Sequence, residues 1–196
     1  MTGMSRIIAG AARGRRIAVP GGRNTRPTSD RAREALFASA LSDLGTFDGL
    51  RVLDLYAGSG AIGLEALSRG ADHALLVEYD RKAVAALRSN VAAVGLPGAR
   101  VAAGRVRRVL QEGPRDGAYD LAVADPPYAL DDGEITTVLE ELRDGEWLRP
   151  GALVVVERAS RGGDLDWPEG YTPDRVRRYG EASLWYGRAA SRPDQR

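Results

Sequence analysis

The chain has 196 residues, of which 43% are hydrophobic, enough for one domain with a substantial core. It contains no cysteine and a single histidine, His73, which excludes disulfides, a thiol nucleophile and any thiolate or histidine metal cluster. The net charge is only +1, yet residues 1–33 carry eight arginines and one acid (+7), whereas the remainder carries 20 basic and 26 acidic residues (−6).

In chain order, residues 5–9 and 15–19 read as strands of a β-hairpin, with Ile7, Ile8, Ile17 and Val19 placed around Gly10 to Gly14. Guanidinium forks match phosphate oxygens and supply sequence-independent affinity. Arg6, Arg13, Arg15, Arg16, Arg26 and Arg33 are therefore candidate contacts to nucleic-acid phosphates. A Gly/Pro/Arg loop follows from Pro20 to Thr28. Residues 30–44 read as a helix capped by Ser29 or Thr28, with Ala32, Ala35, Leu36, Ala40 and Leu44 on its apolar face. From residue 51 the chain alternates: strands at 51–56, 74–78, 100–103, 120–125 and 152–157, helices at 61–69, 81–94, 106–112 and 132–143. Such alternation predicts a parallel sheet covered by helices on both faces. His73 falls in the loop before the second of these strands and is expected to face solvent. Arg175 to Tyr179 and Ala182 to Arg188, split by Gly180, predict a closing hairpin. The expected organisation is a basic hairpin extension over 1–24, the main domain over 25–189 and a loose tail over 190–196. Lying outside the alternation, the N-terminal hairpin is expected to be dispensable for folding of the sheet.

Two motifs carry chemistry. The strand ending at Tyr56 runs into Ala57-Gly58-Ser59-Gly60-Ala61-Ile62-Gly63 and then a helix. Glycines there let the backbone approach a ligand and take positive φ. The Gly-x-Gly-x-x-Gly spacing also fits dinucleotides, but Asp54 precedes it. A carboxylate there would repel a pyrophosphate seated on the turn and suits a cationic ligand head. A second acid, Glu78, ends the next strand about twenty residues on, where ribose hydroxyls are held in such folds. A nucleoside joined to an amino acid and carrying no phosphate satisfies both acids; S-adenosylmethionine is such a molecule.

The other motif is Asp125-Pro126-Pro127-Tyr128 at the end of an apolar strand. Proline fixes φ and pushes the preceding residue to extended geometry. The chain thus leaves the sheet rigidly, with the Asp125 carboxylate and the Pro126 carbonyl able to point at one spot and the Tyr128 ring nearby. Two acceptors and a flat ring suit a planar base bearing an exocyclic amine.

With these motifs the chain resembles class I S-adenosylmethionine-dependent methyltransferases of the Asp-Pro-Pro-Tyr type. Among them it is similar to the bacterial enzymes that modify guanine N2 in small-subunit (16S) ribosomal RNA. The more specific part of the likeness is Arg26-Pro27-Thr28-Ser29-Asp30-Arg31-Ala32-Arg33-Glu34. Supporting it are Arg6-Ile7-Ile8-Ala9-Gly10 and Glu65-Ala66-Leu67-Ser68-Arg69. The resemblance implies a Rossmann-like, doubly wound, seven-stranded and mostly parallel α/β sheet with its last strand antiparallel, plus the N-terminal β-hairpin extension. It implies N2 methylation of guanine 966, with S-adenosylmethionine as cofactor and no metal. Asp125, Pro126 and Tyr128 become the candidate catalytic residues. Thr28, Asp54, Tyr56, Gly58, Ser59, Gly60, Glu78 and Val106 become the candidate cofactor contacts. The expected partner is ribosomal RNA, free or within the small-subunit particle, bound by a cytoplasmic monomer that makes no membrane contact.

After the third strand of the alternation such enzymes often place Asp or Asn against the adenine amino group. Here that slot holds Gly104-Arg105, and an arginine cannot accept from an amine. The adenine contact is left to the Val106 backbone or to another residue. Three other functions compete with this one. An adenine-N6 methyltransferase of DNA or RNA shares Asp-Pro-Pro-Tyr but normally carries a target-recognition domain. An NAD(P)-binding oxidoreductase is disfavoured by Asp54. A silent RNA-binding module would have lost one of Asp54, Glu78 or Asp125.

Overall fold

The computed structural model describes residues 3–21 and 29–190. Two expected site residues, Arg26 and Thr28, lie outside the described residues. The elements are β1 (Gly3–Arg6), β2 (Arg16–Val19), α1 (Asp30–Leu44), β3 (Arg51–Leu55), α2 (Ala61–Ser68), β4 (His73–Glu78), α3 (Arg81–Val94) and β5 (Ala99–Ala103), then α4 (Val106–Gln111), β6 (Tyr119–Ala124), α5 (Asp132–Asp144), β7 (Leu148–Ala159), β8 (Tyr171–Tyr179) and β9 (Ala182–Ala189).

Seven strands form one sheet in the order β5-β4-β3-β6-β7-β9-β8. Strands β3 to β7 are mutually parallel, and β9 enters antiparallel between β7 and β8. This is the expected doubly wound sheet. Its order reverses between β3 and β6, and ligands of such sheets bind beyond the strand C-termini at that reversal.

Local chemistry explains the elements. Ser29 caps α1 by accepting from the Ala32 N–H at 3.1 Å, Asp80 caps α3 through the N–H groups of Lys82 and Ala83, and Asp131 caps α5 through that of Glu134. Each removes an orphan donor from a helix start. Along the central strands, alternate side chains enter two different cores. Val52, Leu121, Val123, Leu153 and Val155 face α1, α2, α3 and the N-terminal hairpin. Leu53, Leu55, Ala122, Ala124, Val154 and Val156 face α4 and α5.

Three expectations need correction. His73 does not sit in a loop: it opens β4, half buried, with Nε2 3.3 Å from the Tyr119 hydroxyl. Strand β7 begins at Leu148 rather than 152, because Leu148 pairs with Tyr119 across an irregularity. The third correction concerns the hairpin. Strands β1 and β2 are short, and the ladder is prolonged by the Ile7 N–H donating to Arg15 O and the Gly14 N–H to Ile7 O. Ile7 and Ile17 are fully buried in the same cluster as the sheet, worth about 1.5–3 kcal/mol each.

Helix α2 explains why the hairpin docks there. It is buried nearly all round, and its polar side chains must find partners inside. Glu65, with 0% exposure, accepts the N–H groups of Ile8 at 2.8 Å and Ala9 at 3.0 Å and pairs with Arg69 at 2.9 Å. Ser68 accepts from the Ala12 N–H and donates to the Ala9 carbonyl. A side chain at Gly10 would meet the Ser68 carbonyl at 1.7 Å, so only glycine permits this approach. On the neighbouring helix, Asn90 accepts from the Ala18 N–H and donates to the Ala18 and Ser59 carbonyls, all at 2.8 Å. The hairpin is therefore part of the core, and a chain lacking residues 1–19 is expected not to fold.

Glu65→Ala should cost about 1–3 kcal/mol, since it leaves a partly buried guanidinium and two partly buried N–H donors without their acceptor. Urea denaturation measures the loss. Hydrogen exchange at Ile8 and Ala9 should accelerate selectively, and unchanged stability with unchanged exchange would show the hairpin to be a passive appendage.

Candidate active site

Strands β3, β4 and β6 deliver three acids to one edge of the sheet. Asp54 is the penultimate residue of β3 and 2% exposed; its Oδ2 accepts from the Gly63 N–H at 2.9 Å. Glu78 ends β4 at 8% exposure. Its Oε2 accepts from the Gly58 N–H at 2.9 Å, and its Oε1 from the N–H groups of Tyr79 and Asp80, both at 2.8 Å. The glycine turn is thus pinned at both ends to carboxylates from adjacent strands.

Each glycine of that turn answers a different constraint. Gly58 has φ 55° and nothing within 4 Å of where a Cβ would stand, so space is left beside the turn. Gly60 caps α2 at φ 81°, and a Cβ there would meet Leu87 at 2.4 Å. A Cβ on Gly63 would meet Leu76 at 2.7 Å and Asp54 Oδ2 at 3.4 Å. Gly60 and Gly63 therefore serve helix–sheet packing, whereas Gly58 leaves open space beside the backbone. Tyr56 enters the turn at φ 62°, a left-handed conformation that costs a non-glycine residue about 1–2 kcal/mol. Such strain persists only where the surroundings impose it. Burial pushes its hydroxyl up to about 12, with Glu134 and Glu141 adding to the shift.

Burial also dominates at Asp54, whose carboxyl is pushed up to about 7; the nearby Glu78 charge raises it further and the Gly63 N–H opposes. A cation seated on this edge would restore ionisation. Asp125 follows β6, where its N–H donates to the Leu55 carbonyl at 3.3 Å. Pro126 is buried, and Tyr128 is 56% exposed beside a turn closed by the Leu130 N–H on the Pro127 carbonyl. Across the glycine turn, Val106 opens α4 at 5% exposure after Arg105, whose guanidinium lies 5.6 Å from the ring centroid of Tyr79. Ser59 is 8% exposed, its carbonyl held by Asn90. Asp54, Tyr56, Gly58, Ser59, Gly60, Glu78, Val106 and the Asp-Pro-Pro-Tyr segment thus share the C-terminal edge of the sheet.

The arginines divide. Arg6, Arg13, Arg15 and Arg16 are exposed. The hairpin turn docks on Ser68, at the end of α2 away from the glycine turn, and Arg15 reaches the Val94 carbonyl at the corresponding end of α3. Arg13 and Arg15 therefore stand roughly one α2 length, about 12 Å, from the cleft edge. Arg33 is corrected outright: at 1% exposure, its Nη2 donates to the Arg6 carbonyl at 2.6 Å and pairs with Asp30 at 3.1 Å. It fastens the hairpin to α1 and cannot meet phosphate in this arrangement.

Sequence reasoning missed Tyr79, Asn90 and a second set of arginines. Tyr79 is 55% exposed directly after Glu78, and its position after a strand-ending acid is the signal that could have found it. Arg161 lies exposed in the turn after β7, and Arg177 and Arg178 are exposed near the end of β8. They stand by the catalytic edge but are hidden in the net −6 of their segment.

Comparison with known proteins agrees with this geometry. Residues 5–188 match the model of the family described as conserved hypothetical protein 95. The chain is 35% identical over 185 residues to "Ribosomal RNA small subunit methyltransferase D" of Escherichia coli K12, covering 93% of this chain and 88% of that protein. It is 33% identical over 172 residues to the protein of the same name from Haemophilus influenzae, covering 87% and 86%. The solved structure of yhhF from Escherichia coli superposes with a TM-score of 0.83 at 34% identity, covering 97% of this chain and all of that one.

The Asp54 carboxyl predicts a pH signature in the free protein. Its folded-state pKa near 7 lies above the ordinary 3.8, so the folded state holds the extra proton between these values. Stability should therefore fall as pH rises from about 4 to 7 and level off above, and Asp54→Asn should flatten that fall. Urea melts of both proteins across this range provide the check; superimposable slopes would remove Asp54 as the cause.

Proposed function

Since the chain belongs to the conserved hypothetical protein 95 family, with methyltransferases of small-subunit ribosomal RNA among its well-covered relatives, we propose that it transfers a methyl group from S-adenosylmethionine to guanine N2 in 16S ribosomal RNA. The observation that carries this reading is the junction of two sites at one sheet reversal: a cofactor turn held between Asp54 and Glu78, and the Asp-Pro-Pro-Tyr segment on the adjoining strand.

The residues present fit the cofactor. Glu78 offers carboxylate oxygens at the place for ribose hydroxyls, since a carboxylate has about four acceptor directions. Asp54, poised to ionise, faces the demand of an amino-acid ammonium. Gly58 leaves room beside the backbone, and the exposed Tyr79 ring supplies a face for adenine. Thr28 and Val106 complete the proposed contacts. When bound, the cofactor supplies an electrophilic sulfonium methyl group with a good leaving group, so the chain need not generate a nucleophile of its own.

What the chain must do is prepare the amine. Guanine N2 is a weak nucleophile because its lone pair is delocalised into the ring. Acceptors on its hydrogens favour the pyramidal geometry and the positive charge that grows as it attacks. Asp125 and the Pro126 carbonyl fill that role by position and electrostatics, and Asp125 can take the departing proton. Tyr128 stacks on the base, a contact worth about 1–3 kcal/mol, which holds a nucleotide extruded from its helix. Arg6, Arg13, Arg16 and Arg26 contact phosphates along the hairpin, while Arg161, Arg177 and Arg178 do so at the catalytic edge. Arg15 joins the former set on leaving Val94. Ribosomal RNA, free or within the small-subunit particle, a monomeric state and a cytoplasmic location complete the reading; among the described residues no helix is long and apolar enough to cross a membrane.

Asp125→Ala should lower kcat by at least about 100-fold while cofactor affinity stays within threefold, because the carboxylate acts on the amine rather than on the cofactor. Single-turnover kinetics and calorimetry separate the two; wild-type turnover in the purified variant would remove Asp125 from the mechanism. Replacing Arg161 and Arg178 by alanine should weaken RNA binding and make its salt slope shallower by about 0.7–0.9 for each phosphate no longer neutralised. An unchanged slope would remove these residues from the RNA surface.

A further inference from the structure

We propose that Glu157 reads the target base by accepting its N1–H, and so sets the preference for guanine over bases whose N1 carries no hydrogen. This rests on the guanine-N2 reading above and adds a specificity residue to it.

Strand register brings the two acids together. Strands β6 and β7 are parallel, with Val123 opposite Val155 and Ala124 opposite Val156. One residue further, Asp125 and Glu157 stand side by side, about one strand spacing (roughly 4.8 Å) apart. Asp125 remains extended because a proline follows it, and its N–H still bonds to β3. Side chains alternate along both strands. Val123 and Val155 enter the core beneath α2, whereas Ala124 and Val156 enter the opposite one. Asp125 and Glu157 therefore return to the first face, the face that also carries Asp54. The β9 partner agrees, since Leu184 lies opposite Glu157 and belongs to that first core.

Glu157 is 8% exposed at the sheet edge where ligands bind. The Watson–Crick edge of guanine matches this pair of acceptors. It presents the N1–H directly beside the N2 amine, so the two carboxylates meet a continuous row of donors. Adenine presents its N6 amine beside a bare N1. There a carboxylate at Glu157 would face a lone pair, which is the repulsive element that specificity requires. Glu157 has other contacts in the free protein, and its acceptor directions accommodate one donor more. Arg158 points to the other face, where it pairs with Asp132 at the start of α5 and fixes the end of β7. Asp125 thus selects an exocyclic amine, and Glu157 selects the ring nitrogen next to it.

The test uses ribosomal RNA with 2-aminopurine in place of the target guanine. That base keeps the amine at C2 but has no hydrogen on N1. The wild-type enzyme should prefer guanine by about 100-fold or more in kcat/KM, as expected of a site built around a substrate donor. Glu157→Gln can turn its amide to donate to a bare N1, and should narrow that ratio by at least about tenfold while cofactor affinity is unchanged. The missing O6 of 2-aminopurine affects both proteins alike and cancels in the comparison. Wild-type rates within about threefold for the two bases would overturn the proposal without recourse to any variant. So would a Glu157→Gln enzyme that binds cofactor normally and keeps the wild-type ratio. Locating the transferred methyl group separates this from the underlying reading: methyl on an atom other than guanine N2 sinks that reading, whereas methyl on N2 with an unchanged ratio sinks only the role of Glu157.

Discussion

The N–H groups of Gly58 and Gly63 each donate to a buried carboxylate at 2.9 Å, Glu78 on β4 and Asp54 on β3. Buried hydrogen bonds to a carboxyl oxygen contribute roughly 0.5–1.5 kcal/mol net each, and more where the acceptor is ionised. Here they fasten a turn of few side chains to two rigid parallel strands. Each acid has a second use. The Glu78 carboxylate keeps acceptor directions beyond the three N–H groups it holds, and Asp54 holds a displaced pKa that a cationic ligand would restore. The shape of the cofactor site and its charge chemistry therefore have one source. Tyr56, held at φ 62° at the entrance to the turn, follows from the same arrangement.

That turn is also tied to the N-terminal hairpin. The Asn90 carboxamide joins Ala18 of β2 to the carbonyl of Ser59 within the turn. Glu65 and Ser68 fasten the hairpin along α2, and Arg33 fastens it to α1. The basic N-terminal segment is thus mechanically continuous with the glycine turn. Asn90 is the side chain that makes this link, with one carboxamide bonded to both the hairpin and the turn.

Much of this was legible in the sequence because local chemistry decided it. The helices at 30–44 and 81–94 agree to the residue, since Ser29 and Asp80 cap their starts and Gly45 and Gly95 end them. The acids and glycines of the strand–turn–helix pattern come together at one edge of the sheet, as their spacing implies. What stayed hidden depends on long-range packing. Nothing in the local sequence marks Glu65 as buried; its burial comes from the hairpin that covers α2. Arg33 reads as one more phosphate contact until α1 and β1 bury it. Charge summed over a segment cannot reveal which arginines gather at one end of the sheet, so Arg161, Arg177 and Arg178 are hidden in an acidic average. The neighbourly placement of Asp125 and Glu157 needs the register of two strands, which no single stretch of sequence contains.

The central claim concerns one atom of one base. Purified protein incubated with isotopically labelled S-adenosylmethionine and unmodified small-subunit ribosomal RNA, free or assembled, should transfer label to a single nucleotide. Digestion and mass spectrometry should identify that nucleotide as N2-methylguanosine. Label recovered as N6-methyladenosine, or no transfer to either form of the RNA by a protein that binds the cofactor, would contradict the account.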